Sequence, residues 1–97
     1  MPTYLSLMHW TKEGIEKIKE SPARLDAARK AIEPLGGKIK GFYMLMGQYD
    51  AAVLVEAPDD ATLARISLWL TSKGSLRSET HRAFDEDEYH KIIAAIP

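Results

Sequence analysis

KIKGFYMLMGQYDAAVLVEA, Lys38 to Ala57, reads as two apolar strands joined by the tight connection Gly47-Gln48-Tyr49-Asp50. Phe42, Met44 and Met46 alternate with Tyr43 and Leu45, and after the turn Ala51, Val53 and Val55 alternate with Ala52 and Leu54. Neither alternating set is polar. A half-exposed antiparallel strand places polar side chains on its wet face, so two apolar faces mean that both sides of this sheet are covered. Gly47 can take positive φ at no steric expense and Asp50 can bond its local backbone, so the connection predicts a short hairpin loop with Tyr49 projecting.

Working outward, Thr3 to Trp10 carries apolar residues in both alternating sets and predicts a first, central strand. Thr11 caps a short helical turn through Ile15 and Ile18. Ser21-Pro22 is expected to start a longer helix, serine as N-cap and proline in the first helical position, with Leu25, Ala28, Ile32 and Leu35 as its buried stripe. Pro34 loosens its last turn, and Gly36-Gly37 stops it. Beyond the hairpin, Pro58-Asp59-Asp60 opens a helix with stripe Leu63, Ile66 and Leu70, ended by Gly74. Leu76 to Phe84 is a more polar strand, expected at an edge. Asp85 and Glu88 form a capping box, and Tyr89, Ile92, Ile93 and Ile96 give the last short helix one apolar stripe that must dock on something.

The order is strand, helix, strand, strand, helix, strand: an α+β, ferredoxin-like βαββαβ domain over residues 1–97 with a short C-terminal helix. Its spatial strand order is fourth, first, third, second, with both main helices on one face. The other face is bare and apolar on three strands. A homodimer through that helix-free face is the economical way to cover it, and edge strands could join dimers into a higher oligomer.

Composition narrows the function. Thirteen basic against fourteen acidic residues give a net charge of -1 with no basic run, so nucleic acid is not an expected partner. With no cysteine there is no disulfide, thiol chemistry or thiolate zinc site. No apolar run approaches a membrane span and no leader pattern opens the chain, so a soluble cytoplasmic protein is expected.

Ser21-Pro22-Ala23-Arg24-Leu25-Asp26-Ala27, Gly36-Gly37, Gly47-Gln48-Tyr49-Asp50, Pro58-Asp59-Asp60 and Thr80-His81-Arg82-Ala83-Phe84 together resemble the GYD family, across nearly the whole chain. Gln48 stands inside the namesake letters. The resemblance implies the dimeric α/β barrel arrangement, in which two ferredoxin-like subunits join their sheets, and it implies fold rather than activity. Barrel relatives include effector-binding domains of leucine-responsive regulators, cofactor-independent oxygenases, isomerases and haem enzymes. In the regulator domains the similar turn lies near the effector pocket. Only Met1 precedes Pro2, so no self-contained DNA-binding regulator is expected here.

The topology is expected to gather His9, Trp10, Tyr49, Asp50 and Arg77 at one end of the sheet, beside the start of the first main helix. Arg24 sits in that helix's first turn, where a cation is unfavourable unless an anion is close, and Asp50 is the expected anion. One reading is a structural Arg24–Asp50 ion pair. The other is a small-molecule pocket in which Trp10, Arg24, Tyr43 and Asp50 bind an apolar or carboxylated ligand, and His9 and Tyr49 act on a proton. His9 can equally be a hydrogen-bonded strand-end residue. Trp10, Tyr43, Trp69, Met44 and Met46 suit either packing or an apolar lining. Glu79 and His81 have an i+2 spacing that can bind metal, but with His90 on a distant helix no metal site is expected. No cofactor is expected either. Two functions stay open: a homodimeric small-molecule-binding module, and a cofactor-independent isomerase or oxygenase.

Overall fold

In a computed structural model describing all 97 residues, the elements run β1 (Thr3–Trp10), α1 (Lys12–Glu16), α2 (Ser21–Ile32), β2 (Lys38–Met44), β3 (Ala51–Glu56), α3 (Asp60–Ser72), β4 (Leu76–Ala83) and α4 (Glu86–Ala94). The sheet has the order β2-β3-β1-β4 with every neighbour antiparallel, as the βαββαβ reading requires. No helix is long and apolar enough to cross a membrane.

Register assigns every strand residue to a face, because residues directly opposite in an antiparallel pair share one. Tyr4 pairs Val55, Ser6 pairs Val53 and Met8 pairs Ala51, and these lie under α2 and α3. There Tyr4, Ile32, Ile39, Val53, Val55, Ala57, Leu63 and Ile66 make the core. Leu5, Leu7 and His9 lie on the opposite face with Leu54 and Ala52, and β4 adds Arg77, Glu79 and His81. This face carries no helix. Its leucines are only half-buried in the single chain.

Hydroxyl side chains tie the helix face to the β4 edge. Ser6 bonds Thr80 at 3.1 Å, Ser67 bonds Ser78 at 3.2 Å, and the buried Tyr4 hydroxyl donates to Asp60 at the start of α3. Burial, and then that bond to Asp60, pushes the Tyr4 phenol up to about 12 from 10.0.

Three local expectations change, and β2 carries a bulge. β2 ends at Met44 rather than Met46, and the Leu45 amide bonds the Asp50 carbonyl at 2.8 Å, so the hairpin loop spans 45–50. A bulge at Lys40 lets Tyr43 lie over Gly41, where a Cβ would sit 3.2 Å from the ring. Ser21 is not an N-cap: a 3-10 turn over Ile18–Glu20 runs straight into α2, leaving Ser21 helical and Pro22 in the first turn. Leu35 falls in a second 3-10 turn after α2, and this turn carries it out of the stripe to 42% exposure. The turn ends on Gly36, whose φ of 83° supplies the left-handed stop.

α4 has its capping box: Asp85 accepts from the Glu88 amide at 2.8 Å and Glu88 accepts from the Asp85 amide at 3.2 Å. It does not dock. No α4 residue is buried, and the radius of gyration is 14.6 Å, against about 12.5 Å for a compact chain of this length.

Candidate functional site

Between α2, α3 and the helix-side face of the sheet lies a cavity of about 640 Å³. It exists because the residues that could fill it are small. α2 turns Ala28 and Ala31 towards it, β3 offers Ala51, and the larger Trp10, Phe42 and Trp69 stand around the space they leave. The walls are mostly apolar, and the size is that of a pocket for a drug-sized molecule. Its charged lining residues are Lys17, Arg24 and Lys73 together with Glu13, Glu20 and Asp50. Lys73 lies over the Trp69 ring at 4.4 Å.

The segment after β1 forms part of this lining and is pinned at its start. Thr11 caps α1 by accepting from the Gly14 amide at 3.1 Å, and its hydroxyl donates to the Gly74 carbonyl at 2.6 Å. Its amide bonds the Ser75 carbonyl at 3.2 Å. A Cβ on Gly14 would stand 2.0 Å from that same carbonyl oxygen, so only glycine lets α1 lie this close to the α3–β4 connection.

The expected cluster divides between the two sides of the sheet. Trp10 and Arg24 line the cavity; His9, Tyr49 and Tyr43 belong to the helix-free face. Asp50 stands where the two compartments meet. Its carboxylate accepts from the Trp10 amide at 3.0 Å and lies 3.9 Å from His9 Nδ1, while it also lines the cavity. The expected Arg24–Asp50 pair does not form. Arg24 pairs instead with Glu20 one turn earlier, at 3.8 Å, because the helical path through Ile18–Glu20 puts that carboxylate on the same side of the helix.

On the helix-free face a second polar group assembles around Glu79, which sequence spacing ties only to His81. Tyr49 donates from its hydroxyl to Glu79 at 3.2 Å, His81 Nε2 meets the same carboxylate oxygen at 2.7 Å, and the His9 ring lies 5.0 Å from the Tyr49 ring. The His81 bond holds the Glu79 carboxyl below its ordinary range, and the Glu79 charge raises the Tyr49 phenol. Tyr43 lies elsewhere on this face, opposite Ala52 and 60% exposed. No three His, Asp or Glu side chains converge in a way that would hold a metal ion.

The model of the GYD domain matches residues 4–93. This chain belongs to the GYD family. A relative of this GYD domain is a protein of Thermus thermophilus named "Glutamine synthetase and cystathionine beta-lyase binding protein". The two are 36% identical over 84 residues, covering 86% of this chain and 88% of that one. Among solved structures, FFRP-DM1 superimposes with a TM-score of 0.59 at 20% identity, over 87% of this chain and 100% of its own. TTHA0845, also from Thermus thermophilus, gives 0.56 at 25% identity, over 88% and 95%. Both likenesses concern the fold.

Proposed function

We propose that this GYD domain is a cytoplasmic, homodimeric binding module that holds a small apolar molecule with a carboxylate head between its sheet and its helices. The observation that carries the reading is the cavity itself: about 640 Å³ and mostly apolar, with Lys17 and Lys73 as cations for a carboxylate head beside Arg24, Glu13, Glu20 and Asp50. An apolar body gains by leaving water, and a carboxylate at the mouth meets cations without being buried. The half-buried leucines of the helix-free face support the homodimer.

The catalytic alternative has less behind it. Its proton-handling pair is His9 and Tyr49, and both lie across the sheet from the cavity. A relative whose name records binding to two enzymes favours a binding protein, and an enzyme is the proposed protein partner of this chain also.

The test is a titration with aromatic and branched-chain carboxylates, following Trp10 and Trp69 fluorescence and amide shifts in one sample. Saturable binding with shifts at Trp10, Leu25 and Trp69 is expected, and Ala28→Trp should abolish it by filling the space. Shifts confined to Leu5, Tyr49 and Glu79, or no saturable change with any acid of this class, would overturn the cavity reading.

A further inference from the structure

Charge lines the cavity at one end only. Along β3 the lining runs Asp50, Ala51, Val53, Val55, and along α2 it runs Arg24, Ala28, Ala31, Ile32. Both elements start at the same end of the sheet, because the Trp10 amide at the end of β1 bonds Asp50 and α2 follows that end of β1. α3 runs the other way. It finishes at this end, since Leu76 just after it lies opposite Trp10, and it lines the cavity with Lys73, then Trp69, then Ile66. All three elements therefore begin charged beside Trp10 and continue apolar.

The far end is closed by Ile32, Ile39, Val55 and Ile66, with no charged residue among the lining there. No buried side-chain nitrogen or oxygen of the chain lacks a hydrogen-bond partner, so nothing along the inner walls waits for a polar group on a ligand. The space is also deep. From Ala51 to Val55 is about 13 Å of strand, at about 3.3 Å per residue, and from Arg24 to Ile32 about 12 Å of helix, at about 1.5 Å per residue. A carboxylate on a single ring or a short branched body would leave the inner part empty, and its walls without contacts.

At the charged end the side chains differ in what they are free to do. Arg24 is held by Glu20 at 3.8 Å, and Asp50 by the Trp10 amide at 3.0 Å. Lys17 and Lys73 belong to no ion pair. Two such cations suit one anionic head, while Glu13, Glu20 and Asp50 beside them oppose a second negative charge.

We propose that the ligand is a chain-like monocarboxylate: an acyl chain lying along β3, its tail among Ile32, Ile39 and Val55 and its carboxylate by Lys17 and Lys73. A carbon chain with bonds of about 1.5 Å advances about 1.3 Å per atom, so about ten carbons span the depth. The inference rests on the small-molecule reading of the cavity and narrows it to one class.

The test is a homologous series of straight-chain acids from butanoic to tetradecanoic, below micelle formation, with phenylacetate and decan-1-ol alongside and Trp10 and Trp69 fluorescence as the readout. The dissociation constant should fall about fourfold with each added methylene, level off near ten carbons, and be at least tenfold weaker for the alcohol than for decanoate. Ala31→Phe, which fills the inner end, should level the series off at a shorter chain and leave butanoate unchanged; if that variant does not fold, the wild-type series decides alone. Phenylacetate or the short acids binding as tightly as decanoate would overturn the acyl chain while the cavity reading stands. A fall continuing unbroken to fourteen carbons would overturn the bounded depth, and decanol matching decanoate would overturn the carboxylate head. Saturable binding by none of the acids overturns this inference and the cavity reading together.

Discussion

Asp50→Ala should destabilise the folded chain by about 1–2 kcal/mol. The Asp50 amide bonds the Met8 carbonyl at 2.8 Å, the last backbone bond between β1 and the hairpin. Two residues on, the Trp10 amide donates to the Asp50 carboxylate at 3.0 Å. A bond to a charged acceptor contributes about 1.5–3 kcal/mol. The Asp50 side chain is 36% exposed, so water can take over part of that role and about 1–2 kcal/mol is lost, giving a fall in Tm of about 5–10 °C for a domain of this size. Asp50→Asn keeps an acceptor oxygen without the charge and should lose about half as much. Thermal unfolding followed by circular dichroism measures both. An Asp50→Ala variant melting within a degree of wild type would show that the carboxylate does not hold the end of β1.

Gly14→Ala should lower stability by about 1–3 kcal/mol from overpacking, less about 1 kcal/mol of helix preference, since its Cβ would stand 2.0 Å from the Ser75 oxygen; a Tm equal to wild type would contradict that contact. Tyr4 makes stability fall in alkali. Its folded pKa is raised, so the folded state holds the proton longer than the unfolded chain, and the stabilisation is complete below pH 10.0 and lost as pH rises towards about 12. Denaturant midpoints from pH 9 to 12 should fall more steeply for wild type than for Tyr4→Phe, and parallel curves would refute the assignment. Glu79 should titrate below an ordinary glutamate, and His81→Gln should move it upward in a carboxyl NMR titration; an unmoved midpoint would show that His81 is not the cause.

What the sequence revealed, and what it hid, follows from the range over which each signal acts. Strand order and the two faces of the sheet were legible because the alternation of Ala51, Val53 and Val55 against Ala52 and Leu54 is set within one strand and shared by its neighbours through register. The caps of Thr11 and Asp85 were legible for the same reason: each needs only a side chain and an amide three residues on. Ser21 looked like a third such cap. It is not one, because the helical turn before it is a product of the chain's path between β1 and α2, which a window around Ser21-Pro22 does not contain.

The candidate site mixed both ranges. That Trp10, Asp50 and Tyr49 come to one end of the sheet is topology, and topology was readable. Which side of the sheet each side chain takes is a matter of parity, and parity puts His9 with Leu5 and Leu7 but Trp10 with Tyr4, Ser6 and Met8. Adjacent residues on a strand therefore serve different compartments, and a pocket that used His9 and Trp10 together was never open to this fold. Charge pairing fails to reveal itself for a related reason: Arg24 had Asp50 as a partner across the fold and Glu20 as one within its own helical turn, and the nearer carboxylate holds it. Asp50 is then left to the Trp10 amide on one side and the His9 ring on the other. Asp50 is thus the one carboxylate that both lines the cavity and lies beside a residue of the helix-free face.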